Sequence, residues 1–225
     1  MNALDLKAIA GLVFVLAVLA GLLFIPAQTL DYWQAWVFLS VYFIASLALT
    51  LYLMKHDRKL LERRISGGPV AEKEPVQKII MLITSAGFIG LVLVPAIDRQ
   101  EGWSSMPGWV ALLGDLLMIL GWIAIFFVFR ENTFSSATIE LAPDHKVISS
   151  GPYALVRHPM YAGGLVMLLG IPIALGSWWG LLVIIAVMPA LIWRLFHEEQ
   201  FLLARLPGYG TYQKTVRYRL IPRVW

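Results

Sequence analysis

Six long apolar runs constrain this chain more than any other feature. They cover residues 8–25, 32–54, 79–97, 109–129, 161–175 and 178–196. About 20 helical residues cross a hydrocarbon core of about 30 Å. A helix is also one of the few forms that keeps every backbone group paired inside lipid. The first four runs therefore predict membrane-crossing helices. The fifth is short and contains Pro172, which predicts a kinked or shallow helix. It joins the sixth through Gly176-Ser177, which predicts a helical hairpin, and the sixth is expected to run on through Glu198 to Arg205. Of the 225 residues, 59% are hydrophobic and 14% charged, too much apolar surface for a soluble globule of this size to hide. The expected fold class is an all-α integral membrane bundle of about six spans. The first run has the look of a signal peptide but lacks a small-x-small cleavage site around Gly21 to Pro26, so it is read as a retained span.

Basic residues fix the expected orientation. With an even number of spans, every one of the 18 Lys and Arg residues except Arg99 falls on one side. Both termini and the loops 55–78 and 130–160 are therefore expected in the cytoplasm. The net charge of +4 follows from this topology and implies no nucleic-acid partner. Loop 55–78, with Gly67-Gly68-Pro69, reads as a mobile solvated connector that touches anionic headgroups. The chain has no cysteine, which excludes thiolate chemistry, and its four histidines show no metal-ligand spacing. No internal repeat or long linker is visible, and no protein partner is implied.

One polar cluster stands out against this apolar background. The stretch Gly151 to Tyr161 reads GPYALVRHPMY, and the later run Trp193 to Phe201 reads WRLFHEEQF. His158 precedes Pro159, so it should stand where the chain turns into a helix. The start of that helix offers unpaired N–H groups and partial positive charge, suited to a carboxylate. Gly163-Gly164 follows one turn later, and helix packing is its ordinary role. Arg194 and Glu198 are four apart and share a helix face. Glu198 and Glu199 repel each other unless Arg194, Arg157, Arg217 or a cationic ligand lies near. Tyr209, Tyr212, Arg217, Tyr218, Arg219 and Arg223 suit an interfacial anchor. Asp115, inside the fourth run, is a functional candidate or a bundle-facing polar contact.

These residues together resemble the isoprenylcysteine carboxyl methyltransferase family and its relative phosphatidylethanolamine N-methyltransferase. The resemblance runs through Asn132-Thr133-Phe134-Ser135, His145-Lys146-Val147-Ile148, Gly151-Pro152-Tyr153, Arg157-His158-Pro159-Met160-Tyr161, Glu198-Glu199 with Leu202, then Tyr209, Tyr212, Arg217 and Ile221-Pro222. It implies an S-adenosyl-L-methionine cofactor, a cytoplasmic cofactor pocket, and a lipophilic small-molecule or lipid-linked acceptor arriving from the bilayer. It implies that His145, Lys146, Val147, Ile148, Tyr153, His158, Pro159, Tyr161, Glu198 and Glu199 hold the cofactor. Arg194 and Glu198 are the implied catalytic residues, with Arg194 handling the acceptor. Residues 1–129 are expected to supply four spans, and residues 130–225 the catalytic region.

Two other readings belong beside this one. A membrane NADPH-dependent reductase of the sterol type carries a similar Arg-His-Pro-x-Tyr corner, usually with Asn where this chain has Met160 and with an acid after the glycine. A transporter should place polar groups at mid-membrane in several spans, whereas here only Asp115 does so. Within the methyltransferase reading, a phospholipid amine or a small thiol stays open as the acceptor.

Overall fold

A computed structural model describes residues 2–67, 72, 74–139, 141 and 144–225. All six expected spans are helices. They are α1 (Ala3–Ala27), α2 (Trp33–His56), α4 (Pro75–Glu101), α5 (Gly108–Glu131), α6 (Pro159–Ala174) and α7 (Gly180–Arg205). Two short helices join them, α3 (Arg58–Ile65) and α8 (Tyr209–Thr215), with a 3-10 turn at Gly151–Ala154. Among the described residues, five helices are long and apolar enough to cross a membrane; α6 is shorter. The protein is a multi-pass membrane protein. Its outward surface agrees with that, since Phe14, Ile25, Ile44 and Ile185 stay largely exposed on three different helices.

The core lies between the long helices. Leu19, Leu23, Phe38, Leu91, Met118, Ile171 and Ile184 form one continuous cluster. The α5–α6 pair is the most intimate, because small residues meet there. Gly114 and Gly121 of α5 oppose Gly170 and Gly163 of α6. A Cβ on Gly121 would lie 2.6 Å from Met167 Cβ, and one on Gly170 would lie 2.6 Å from the Gly114 carbonyl.

At one end of the bundle, Tyr32 donates to the Leu175 carbonyl at 2.6 Å. Asp98 there accepts from Ser104 N–H at 2.7 Å and from the hydroxyls of Ser104 and Ser177. These bonds fix the α6–α7 hairpin, whose turn passes through Gly176 at φ 76°. From that anchored end, α6 runs only 16 residues, about 24 Å. That is less than a full bilayer core, so its polar start lies within the depth of the longer helices around it.

The loop 55–78 departs from its expected character. Asp57 accepts from Leu60 N–H at 3.0 Å and starts α3. Leu60 and Leu61 then bury themselves against Leu53, Val128 and Phe129. Arg58 pairs with Asp5 of α1. The segment 58–65 is thus a packed amphipathic helix, because its two leucines find a hydrophobic seat that a solvated loop would lack. Gly68 and Pro69 lie outside the described residues.

Candidate active site

Opposite the Tyr32 end, a cavity of about 400 Å³ opens where α4, α5, α6 and α7 converge with the tail. Its polar part is lined by His145, Lys146, Tyr153, His158, Tyr161, Arg194, Glu198, Tyr209 and Tyr212. Its apolar part is lined by Met81 and Thr84 of α4, Ile125 of α5, Leu165 and Leu168 of α6, and Met188, Leu191 and Ile192 of α7. The cavity thus grades from polar to apolar along the helices.

Pro159 starts α6, with His158 as the preceding residue. The N–H groups of Arg157 and His158 donate to the carbonyls of Tyr218 and Arg219, both at 2.9 Å. The helix start is therefore less open to a ligand than proline geometry alone suggests. Its remaining first-turn donors belong to Met160 and Tyr161. Arg157 also donates to the carbonyls of Val216 and Arg217 at 3.1 and 3.0 Å. The tail is thereby stitched into the site: Tyr209, Tyr212 and Val216 are buried. It is no surface anchor, because its carbonyls satisfy buried donors of the Arg-His corner.

The acidic pair divides its labour. Glu199 accepts from Arg157 Nε at 2.7 Å and from Arg219 Nε at 3.0 Å, and lies 3.2 Å from His158 Nε2. It does not line the cavity. Expected as a cofactor contact, its carboxylate is instead committed to the corner and the tail. Glu198, about 100° further round the helix, does line the cavity. It accepts from Tyr161 Oη at 2.6 Å, and no cation among the described residues pairs with it.

Arg194 is more tightly held than the sequence indicated. Its Nε donates to Tyr161 Oη at 3.2 Å, Nη1 to Gln77 at 3.0 Å, and Nη2 to Glu72 at 2.9 Å and the Ala137 carbonyl at 3.2 Å. A guanidinium has five donors, so little is left over for a ligand. Tyr153 sits among Asn132 Nδ2 at 2.8 Å, Ser135 Oγ at 3.2 Å and, through its carbonyl, Tyr212 Oη at 2.8 Å. His145 stacks on Phe134 with ring centroids 4.6 Å apart. Burial, and then the Arg63 charge, hold its imidazole below the usual histidine range. Its Nδ1 and the Tyr209 hydroxyl are buried without a partner among the described residues.

Residues 109–207 match the family of phospholipid methyltransferases. The similarity covers these residues and leaves the rest of the chain outside it. The match supports a membrane methyltransferase acting on a lipid-type acceptor. No curated protein matches the chain. The methyltransferase segment contains His145, Tyr153, the Arg-His corner, Arg194 and both glutamates. It does not contain Arg64 or the tail's Tyr209 and Tyr212, which line the same cavity, nor Glu72 and Gln77, which bond to Arg194.

Sequence reading missed Arg64, Glu72 and Gln77. For Gln77 a signal existed: it is a lone amide opening an apolar run. For Arg64 the signal was the Asp57 cap with Leu60-Leu61 behind it. Glu72 carried none, since its role depends on an arginine far along the chain.

Proposed function

We propose that the cavity binds S-adenosyl-L-methionine in its polar part and a lipophilic carboxylate in its apolar part, as an isoprenylcysteine-type carboxyl O-methyltransferase does. The observation that carries this is Glu198: a carboxylate facing a cavity, oriented by Tyr161 and in contact with no cation among the described residues. An anion so placed favours a cationic ligand. The cofactor fits the remaining donors and acceptors as well. His145 Nδ1 and the Tyr209 hydroxyl are buried polar atoms that lack partners among the described residues, and such atoms call for one. Tyr153, Tyr161 and Tyr209 offer faces that suit a sulfonium. Lys146, Val147, Ile148, His158 and Pro159 complete the lining, with first-turn amides for a carboxylate.

When bound, S-adenosyl-L-methionine supplies an electrophilic methyl group. The chain's own residues position and shield. Glu198 holds the cationic end. Arg194 acts through Tyr161, which it fixes in place for Glu198. Glu199 holds the Arg157-His158 corner against the tail. The apolar helices exclude water and align the acceptor, and alignment is the main requirement of an in-line displacement.

A carboxylate acceptor needs no base, and the site supports that reading. His197 and Glu199 do not line the cavity, and His158 Nε2 lies 3.2 Å from Glu199 Oε1, so none of the three is placed as a free base. A second reading, methylation of a phospholipid amine, is favoured by His145, whose unpaired Nδ1 could take up the proton. The reductase alternative is disfavoured by the methyltransferase segment. Incubating purified protein with a membrane extract and methyl-labelled cofactor tests all of this. A base-labile methyl ester on a lipophilic product supports the first reading, a methylated amine the second. Tight NADPH binding without affinity for S-adenosylhomocysteine would overturn both.

A further inference from the structure

We propose that Arg64 receives the anionic group of the acceptor, a carboxylate or a phosphate. The inference rests on the methyltransferase reading and sharpens it, because it selects the class of headgroup. It also moves the acceptor's charge partner from Arg194, the expected one, to a residue outside the methyltransferase segment.

The charges around the cavity lead there. Four basic side chains line it: Arg64, Lys146, Arg157 and Arg194. Arg157 is paired with Glu199 and Arg194 with Glu72. Lys146 is exposed to solvent. Arg64 is partly buried, and no carboxylate among the described residues pairs with it. Its bonding is thin. Nη1 donates to the Ser136 carbonyl at 3.3 Å, and the guanidinium lies 5.0 Å from the Phe129 ring centroid. A guanidinium offers five donors in a planar fork that matches a carboxylate or phosphate in bidentate fashion.

Arg64 is held at a disadvantage that an anion would relieve. Burial, and then the adjacent charge of Arg194, push its guanidinium down to about 10. Of the two neighbouring arginines only Arg194 is paired, with Glu72, so the Arg64 charge stands beside the cavity without a carboxylate partner among the described residues. A bare ammonium acceptor would meet repulsion there. An anionic headgroup would find the Arg64 fork open, with Met81, Thr84 and Ile125 lining the same cavity to take an apolar chain. Neither neighbour competes for the role, because carbonyl and ring contacts leave the Arg64 charge unneutralised.

The test uses the full chain in phosphatidylcholine nanodiscs, with binding measured by calorimetry. The ligands are dodecanoate, dodecyl phosphate, dodecylamine and S-adenosylhomocysteine. The native protein is expected to bind at least one dodecyl anion about tenfold more tightly than the amine. The tighter anion names the headgroup. Arg64→Gln should abolish that preference while S-adenosylhomocysteine binding persists, which also reports that the variant is folded. If Arg64→Gln does not fold, Arg64→Lys keeps the charge but loses the fork, and a severalfold weaker anion affinity is expected. Unchanged anion affinity in the folded variant, or native preference for dodecylamine, would overturn the proposal. If the native protein fails to bind S-adenosylhomocysteine yet shows the Arg64-dependent anion preference, the cofactor reading fails and the anion site stands.

Discussion

At the scale of single residues, neighbouring glutamates have unlike surroundings. Glu199 has three donors and holds the backbone together; Glu198 has one neutral donor and faces the cavity. Glu198→Gln removes the charge and keeps the shape. It is expected to weaken S-adenosylhomocysteine binding at least about tenfold, or about 1.4 kcal/mol, with unchanged thermal unfolding. Glu199→Gln should lower the unfolding temperature as well, because it strands buried Arg157. His145 gives a pH signature. Its folded-state pKa is lowered from 6.5, so the unfolded chain takes up the proton first as pH falls. Stability from this group is intact above about 6.5 and declines below it. Unfolding temperatures measured from neutral to mildly acidic pH should fall for the native chain and fall less for His145→Gln. An identical slope in both would refute the assignment.

At the scale of elements, α6 and α3 place the site. The two glycines of α6 look equivalent in sequence but are not. A Cβ on Gly163 would lie 2.9 Å from Ala124 Cβ, whereas one on Gly164 would meet nothing within 4 Å. Gly163 serves packing against α5; Gly164 leaves room in the cavity it lines. Gly163→Val should destabilise the bundle. Gly164→Phe should fold and bind S-adenosylhomocysteine yet lose most methyl transfer to a long-chain acceptor, read as a raised acceptor KM. Loss of folding in Gly164→Phe would show that the space belongs to helix packing. Helix α3 works from the other side. Arg63 donates to the Thr133 carbonyl at 2.8 Å and Arg64 to the Ser136 carbonyl, so the cavity-lining segment 133–139 is tied to α3. A Cβ on Gly67, two residues past the end of α3, would collide with Ala137 Cβ, so the segment after α3 also lies against 133–139.

At the scale of the whole molecule, the site lies at one end of the bundle and the Asp98–Ser177 anchor at the other. Basic residues crowd the site end, and Arg99 stands at the anchor end. We propose on that asymmetry that the site and both termini face the cytoplasm. The absence of cysteine makes the test clean. Ser105→Cys and Lys214→Cys, both at exposed positions, can be treated with a membrane-impermeant thiol reagent on intact cells. Labelling of position 105 alone is expected, with position 214 labelled after permeabilisation. The reverse pattern would overturn the orientation.

The sequence alone determined the six helices, their hairpin and the residue types of the site. Apolar runs have one workable conformation in lipid, and a His-Pro corner fixes its own backbone, so both are local consequences of composition. Resemblance to family motifs singled out His145, Tyr153, His158, Tyr161, Arg194 and Glu198, and all six line the one cavity. The tertiary structure decided which of these face the cavity. Glu198 and Glu199 differ by one helical step, and only the packing of α7 against the tail turns one inward. Arg194 became a fixed post because Glu72 and Gln77 arrive from α4 and the segment before it, at separations no motif records. Asp115 is buried with neither oxygen partnered among the described residues, a place given by α5 packing rather than by any local pattern. Charge pairing across distant segments depends on where chains meet in space. That is why the sequence named the chemistry, and only the fold assigned the charges to their partners.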